Sequence, residues 1–262
     1  MTRASARQRP KSFIASDSLR GKFSDEFIDR FQILTHLMSL MEQYAKASES
    51  ILIRLQESDN PYEMNDGEVL LAITASRNVL RLVEKGRKEL GQTGTLYDAF
   101  EECLQAFRAA NGDLISAPNV IEHADDYIVG AGRSSEDWFD IERRYESGRF
   151  TFTIGKREIN LTNLAVSTAT LSADSMILFK QWLTLDATFD FWRVFLSPLT
   201  DLGHTVRVPF KDFSDVTPFV SFDESPRDSF TLTLEIYDTQ AEANAASGTA
   251  LTVTAGFDVV GD

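Results

Sequence analysis

Hydrophobic positions between Ser24 and Leu55 recur at steps of three and four, which is the period of an α-helix. A helix of this length spans about 50 Å at 1.5 Å per residue. Its apolar stripe is wider than a two-stranded seam requires, so we expect the helix to be contacted on more than one side. The positions that widen the stripe are Ile33, Leu37, Leu40, Tyr44 and Ile51.

Four shorter helices are predicted after this one, each with an apolar face at helical spacing and a polar residue at its start. Together the five predict a helical bundle over residues 23–147. The four shorter helices begin near Asn65, Thr95, Ser116 and Ser134, and they end near Gly86–Gly94, Asn111, Gly130 and Gly148. The face predicted for the second helix consists of Val69, Ile73, Ser76, Leu80 and Val83.

The hydrophobic period changes from 3.6 to 2 at Gly148, which predicts a domain boundary and a β-rich second half. The fold class is therefore predicted as α+β, with an antiparallel β-sandwich or barrel over 149–262. Residues 172–199 also fit a helical period, so a helix pair is the alternative there. A polar loop is predicted over 238–248. The predicted strands cover about 150–154, 159–161, 163–171, 176–185, 188–196, 204–210, 216–222, 230–236 and 251–259.

The net charge of −14 is unevenly distributed, because residues 1–22 hold +5 and the other 240 residues hold −19. The acidic part of the chain, residues 23–262, should repel nucleic acid. The first 22 residues are predicted as a flexible basic arm, which could contact a phosphate backbone, an anionic membrane or an acidic neighbour; a solvated tail is the alternative. The residues expected to make arm contacts are Arg3, Arg7, Arg9 and Lys11.

The single cysteine, Cys103, cannot form an internal disulfide, which favours an intracellular or virion location over a disulfide-bonded secreted protein. We predict a buried, inert thiol, since Cys103 shares the apolar face of the third helix with Phe100 and Phe107. No run of 18 apolar residues occurs, so no membrane span is predicted.

The best candidate for a metal site is residues 122–126, which group three carboxylates with an imidazole. On a helix only Glu122 and Asp126 would share a face, so at most two ligands converge, and a solvated acidic face is the alternative. No catalytic nucleophile motif or phosphate-binding loop occurs, and we expect no cofactor. The stretch contains Glu122, His123, Asp125 and Asp126; the other histidines, His36 and His204, are predicted at a helix flank and a strand end.

These patterns predict a non-enzymatic structural or assembly subunit, such as a virus, phage-particle or tail component, that forms a homo-oligomer or joins other subunits. The alternatives are a binding module using loops 197–204 or 238–248, and a metal-dependent enzyme using acidic loops. The long helix could also simply be the central strut of its own bundle. The predicted oligomer interface comprises Phe27, Phe31, Leu34, Leu37, Met38, Met41, Tyr44, Ile51 and Leu52.

Overall fold

The computed structural model of the chain describes residues 11–18, 23–57, 65–89, 94–115, 141–146, 148–219, 229–255 and 259–261. These residues form an α+β structure, as predicted. The helices are α1 (Asp25–Glu57), α2 (Asp66–Glu89), α3 (Thr95–Ala110), α4 (Leu161–Thr200) and α5 (Gln240–Asn244). The strands are β1 (Lys11–Ser18), β2 (Ile141–Glu146), β3 (Arg149–Ile154), β4 (Arg157–Asn160), β5 (Thr205–Pro209), β6 (Ser229–Tyr237), β7 (Ala250–Val253) and β8 (Val259–Gly261).

The first three predicted helices are confirmed as α1, α2 and α3. The start of α2 is capped as the sequence predicts, because the Asn65 side-chain oxygen accepts a hydrogen bond from the Glu68 amide at 2.9 Å. All five residues of the predicted α2 face are buried. The helix ends at Glu89, within the predicted range from Gly86 to Gly94, and Gly86 lies inside its last turns, where a Cβ would overlap the Phe179 ring.

The strands predicted over 163–171, 176–185 and 188–196 are wrong, because one helix, α4, covers all three. The alternative of a helix pair over 172–199 is correct in predicting helix, but the structure has one continuous helix there instead of two. Small hydroxyl residues such as Thr168, Ser172 and Ser175 occupy buried positions, so the helical period is hidden when only large apolar residues are counted. Hydroxyl groups in α4 also bond within the helix, for example from Thr188 to the Thr184 carbonyl at 2.8 Å.

A three-stranded antiparallel sheet has the order β2-β3-β4. The hairpin of β3 and β4 was predicted, and the turn between them contains Gly155 at φ +58°. The helix predicted from Ser134 is wrong over residues 141–146, which form β2 instead. Pairing with β3 overrides the local helical pattern there, because each β2 residue gains a backbone partner in the sheet.

A second antiparallel sheet has the order β1-β6-β5-β7-β8. Strands β5 and β6 were predicted, but the single strand predicted over 251–259 is two strands, β7 and β8, paired with each other. Residues 213–215 form a 3-10 turn and no strand covers 216–219. The predicted loop 238–248 contains α5, whose first turn is capped by Thr239. The described strands form neither a sandwich nor a closed barrel.

The predicted flexible arm is wrong over residues 11–18, which form β1. This strand pairs with β6 along its whole length, with Phe13 opposite Leu234 in the register. The sequence of β1 lacks a regular alternation, so only its distant partner reveals it. Residues 1–10 and the predicted helix over 118–130 lie outside the described residues.

The chain forms two compact units, one of residues 1–32 with 180–262 and one of residues 33–179. In the first unit, apolar residues at the end of α4 pack with the inward residues of β5, β6 and β7. The Trp192 indole N–H donates to the Val216 carbonyl within this core at 2.8 Å. In the second unit, Phe100 of α3 packs against Phe179 of α4. The predicted boundary at Gly148, between independently folding segments, stays a prediction.

Candidate functional site

A polar cleft of about 380 Å³ in the second unit lies where α3 ends and α4 begins. Asn111 donates to the Phe107 carbonyl at 3.0 Å and to the Ser167 hydroxyl at 2.8 Å. Asn163 donates to the Ala110 carbonyl at 3.2 Å. Because these amides hold backbone groups at helix ends, the cleft has a structural explanation.

Two acidic residues of α4 hold the start of α1 in the first unit. Asp190 is buried and accepts hydrogen bonds from the Ser24 amide at 2.7 Å, the Ser24 hydroxyl at 2.5 Å and Arg193 at 2.5 Å. Arg30 forms a bidentate pair with Asp186, at 3.2 Å from Nε and 3.1 Å from Nη2. The carboxylates therefore pair with cations and a helix end, and this network positions α1.

Burial raises the pKa of the Asp186 carboxyl above its ordinary value, and the hydrogen bond and charge of Arg30 partly oppose the shift. A buried cation lies in the five-stranded sheet, where Arg207 donates to Glu235 at 3.2 Å and to the Gly248 carbonyl at 2.7 Å. Tyr237 donates to the same Glu235 carboxylate at 3.2 Å. Both networks satisfy their charges internally, as buried ionic groups must.

A groove of about 480 Å³ lies between α1 and α2 in the second unit, and it differs from the other sites in its charge. Leu40 and Tyr44 of α1 line it beside Leu82 of α2. Cationic side chains of α2 form its rim, while its single lining carboxylate, Glu84, accepts a hydrogen bond from Arg108 at 2.6 Å. The rim residues are Arg81, Lys85 and Lys88, all of them exposed. The groove is thus apolar inside and basic at its edge.

The predicted interface residues differ in their burial. Five of them are buried within the chain and so belong to its own core, as expected of a central strut. Phe31 and Ile51 are half-buried, Tyr44 is exposed, and the Leu52 side chain lies outside the description. Among the residues that widen the apolar stripe of α1, Ile33 is 51% exposed. The buried five are Phe27, Leu34, Leu37, Met38 and Met41.

The other candidate residues do not form a reactive centre among the described side chains. His36 is exposed, and the Nδ1 atom of His204, just before β5, lies 3.6 Å from Asp238. Cys103 is half-buried and free, and burial raises the pKa of its thiol. Within the described ranges no three His, Cys, Asp or Glu side chains are placed to hold a metal. Outside the described residues lie Glu122, His123, Asp125, Asp126, Arg3, Arg7 and Arg9, and the Lys11 side chain is likewise not described.

The basic rim is the feature that sequence reasoning missed. Arg77, Arg81, Lys85 and Lys88 follow one another at steps of four, four and three, which places them along one side of α2. This spacing could have been found in the sequence. The apolar half of the groove could not, because it comes from α1, and only the packing of the two helices brings Leu40 and Tyr44 beside the basic row.

Comparisons of the chain with family models, with curated proteins and with solved structures find no match. Among the described residues, no helix combines the length and the apolar character that crossing a membrane requires. The functional argument therefore depends on the surfaces of this chain.

Proposed function

We propose that this protein is a non-enzymatic structural subunit that self-associates in a larger assembly, such as a virus or phage particle or tail, in an intracellular or virion setting. The observation that carries the proposal is the uncovered part of the apolar stripe on α1. Ile33 and Tyr44 are exposed, and Leu40 and Ile51 are half-buried beside them. These four residues are separated by seven, four and seven positions, which places them on one side of the helix.

An apolar stripe left in water favours association, since each 100 Å² of apolar surface that a partner covers contributes about 2.5 kcal/mol. The stripe lies next to residues that are fully buried, such as Leu37 and Met41, so it extends the core of the second unit outward to the surface. A rigid helix that presents adjacent apolar side chains is a suitable surface for a second subunit.

The test is to add charge to the stripe without disturbing the core. We expect an Ile33→Glu, Tyr44→Glu variant to keep its helical circular dichroism and to lose self-association, because both side chains are exposed. Leu37 is unsuitable for this purpose, since it is buried and a glutamate there would unfold the chain. Light scattering measures the mass of each protein.

The matched control is Val166→Glu, Ile177→Glu, which introduces the same two charges at residues of α4 that are 63% and 56% exposed. The control should assemble like the unmodified protein. Equal association by the stripe variant and the unmodified protein would contradict the role of the stripe, and a monomeric unmodified protein would contradict self-association itself.

A further inference from the structure

We propose that the groove between α1 and α2 of one copy receives the turn after α4 of a second copy, with Leu202 entering the groove between flanking carboxylates. This inference rests on the proposed function, since it supplies one contact by which the subunit would assemble. It specifies the occupant of the groove as another copy of the same chain.

The groove needs an occupant that is both apolar and acidic. Its apolar floor consists of Leu40, Tyr44 and Leu82. Of the described side chains, none forms an ion pair with the three rim cations, whereas the Glu84 carboxylate is already engaged by Arg108. The rim extends from Arg81 to Lys88, seven helical steps or about 10 Å along α2. Three uncompensated positive charges along this length favour a ligand that carries carboxylates.

The turn after α4 has this chemistry. Leu202 is 73% exposed, the largest exposed fraction among the described large hydrophobic residues. Asp201 precedes it, and Gly203, at φ +85°, donates its amide to the Thr200 carbonyl at 2.8 Å. The backbone therefore holds Leu202 in a defined turn, because only glycine readily adopts that conformation.

A second carboxylate lies close to this turn. Asp238, at the end of β6, is exposed and approaches His204 to 3.6 Å. Two segments thus bring carboxylates to this turn, since Asp201 precedes Leu202 and Asp238 contacts His204, two residues after it. An apolar side chain with nearby carboxylates complements an apolar floor with a basic rim.

The turn also lies in a unit whose described residues carry net negative charge. In the first unit, residues 23–32, 180–219 and 229–255 contain eleven Asp and Glu against five Lys and Arg, a net charge of −6. The surroundings of the turn are therefore acidic, whereas the basic character of the groove is confined to its rim on α2. Since the two surfaces differ, the contact is heterologous, and repeating it produces a ring or an open filament.

The experiment reverses charge on each side of the contact. One variant carries Arg81→Glu and Lys85→Glu, and the other carries Asp201→Lys and Asp238→Lys. We expect each variant alone to associate about tenfold more weakly than the unmodified protein by analytical ultracentrifugation, because like charges now face each other. Mixing the two variants should restore association, since the reversed groove then meets the reversed turn.

One control and one further variant separate the groove contact from general charge effects. Arg144→Glu with Arg149→Glu makes the same change in net charge at two exposed arginines outside the groove, and it should leave association unchanged. Leu202→Ser removes the apolar contact at an exposed site and should weaken association without altering the fold.

The outcomes separate this inference from the proposed function. If the unmodified protein assembles and both reversed variants assemble equally well, the groove contact is wrong while the structural role stands. If the unmodified protein remains a monomer, both are wrong. Loss of association in each variant with recovery in the mixture supports the contact, because no general loss of folding is reversed by mixing.

Discussion

The ring of Phe179 on α4 lies against the Cα atom of Gly86 on α2, so close that a Cβ atom at Gly86 would overlap the ring. The same ring packs on Phe100 of α3, with 4.6 Å between the ring centroids. Three helices of the second unit therefore meet at a position where only glycine fits.

Gly86→Ala is expected to lower the free energy of unfolding by about 1–3 kcal/mol, because overpacking costs more than the better helix propensity of alanine returns. Urea unfolding followed by circular dichroism measures the change. Gly112→Ala is the control, because a Cβ there has no neighbour within 4 Å, and its effect should stay within about 0.5 kcal/mol. Stability equal to or above that of the unmodified protein in Gly86→Ala would contradict the close packing.

Asp186 should give a distinctive pH dependence. Its pKa in the folded chain is raised above the ordinary 3.8, mainly by burial, so the folded state binds a proton more readily than the unfolded state. The stabilisation of the unmodified protein relative to Asp186→Asn should therefore be greatest below pH 3.8 and decrease as the pH rises through the raised pKa. Urea titrations of both proteins across this range measure the difference. A difference that grows with pH would instead show that the ion pair with Arg30 dominates.

Cys103 is expected to react slowly with disulfide reagents. Burial is the main cause of its raised pKa, and the nearby charges of Asp174 and Glu102 add to it, so little thiolate forms near neutral pH. At pH 8 the folded protein should react with Ellman's reagent at least about tenfold more slowly than the urea-unfolded protein. Glutathione in the same two buffers controls for the effect of urea, and equal rates for the two protein states would contradict the prediction.

Sequence patterns correctly predicted the elements that are stabilised by residues close together in the sequence. Helix α2 has a capped start at Asn65 and large apolar residues on a regular face, and the hairpin of β3 and β4 has alternating residues around a turn. Helix α4 was predicted only as an alternative, and only over 172–199, because buried Thr168 and Ser175 interrupt its apolar face. Strands β1 and β2 were missed because their partners, β6 and β3, decide their conformation.

The candidate surfaces were predictable only in part. The wide apolar stripe on α1 was visible in the sequence, but periodicity does not tell which of its residues the chain itself covers. Leu37 and Ile33 both belong to the stripe, yet one is buried and the other is half exposed. The basic groove and the Leu202 turn each combine segments that are distant in the sequence, so their chemistry appears only in the folded chain.

The mass of the purified protein in solution tests the central claim most directly. Light scattering at micromolar concentration and low ionic strength should give a multiple of the chain mass of 29.4 kDa, and the multiple should fall when salt screens the contacts. A single species of 29.4 kDa at every concentration, without any partner present, would contradict self-assembly.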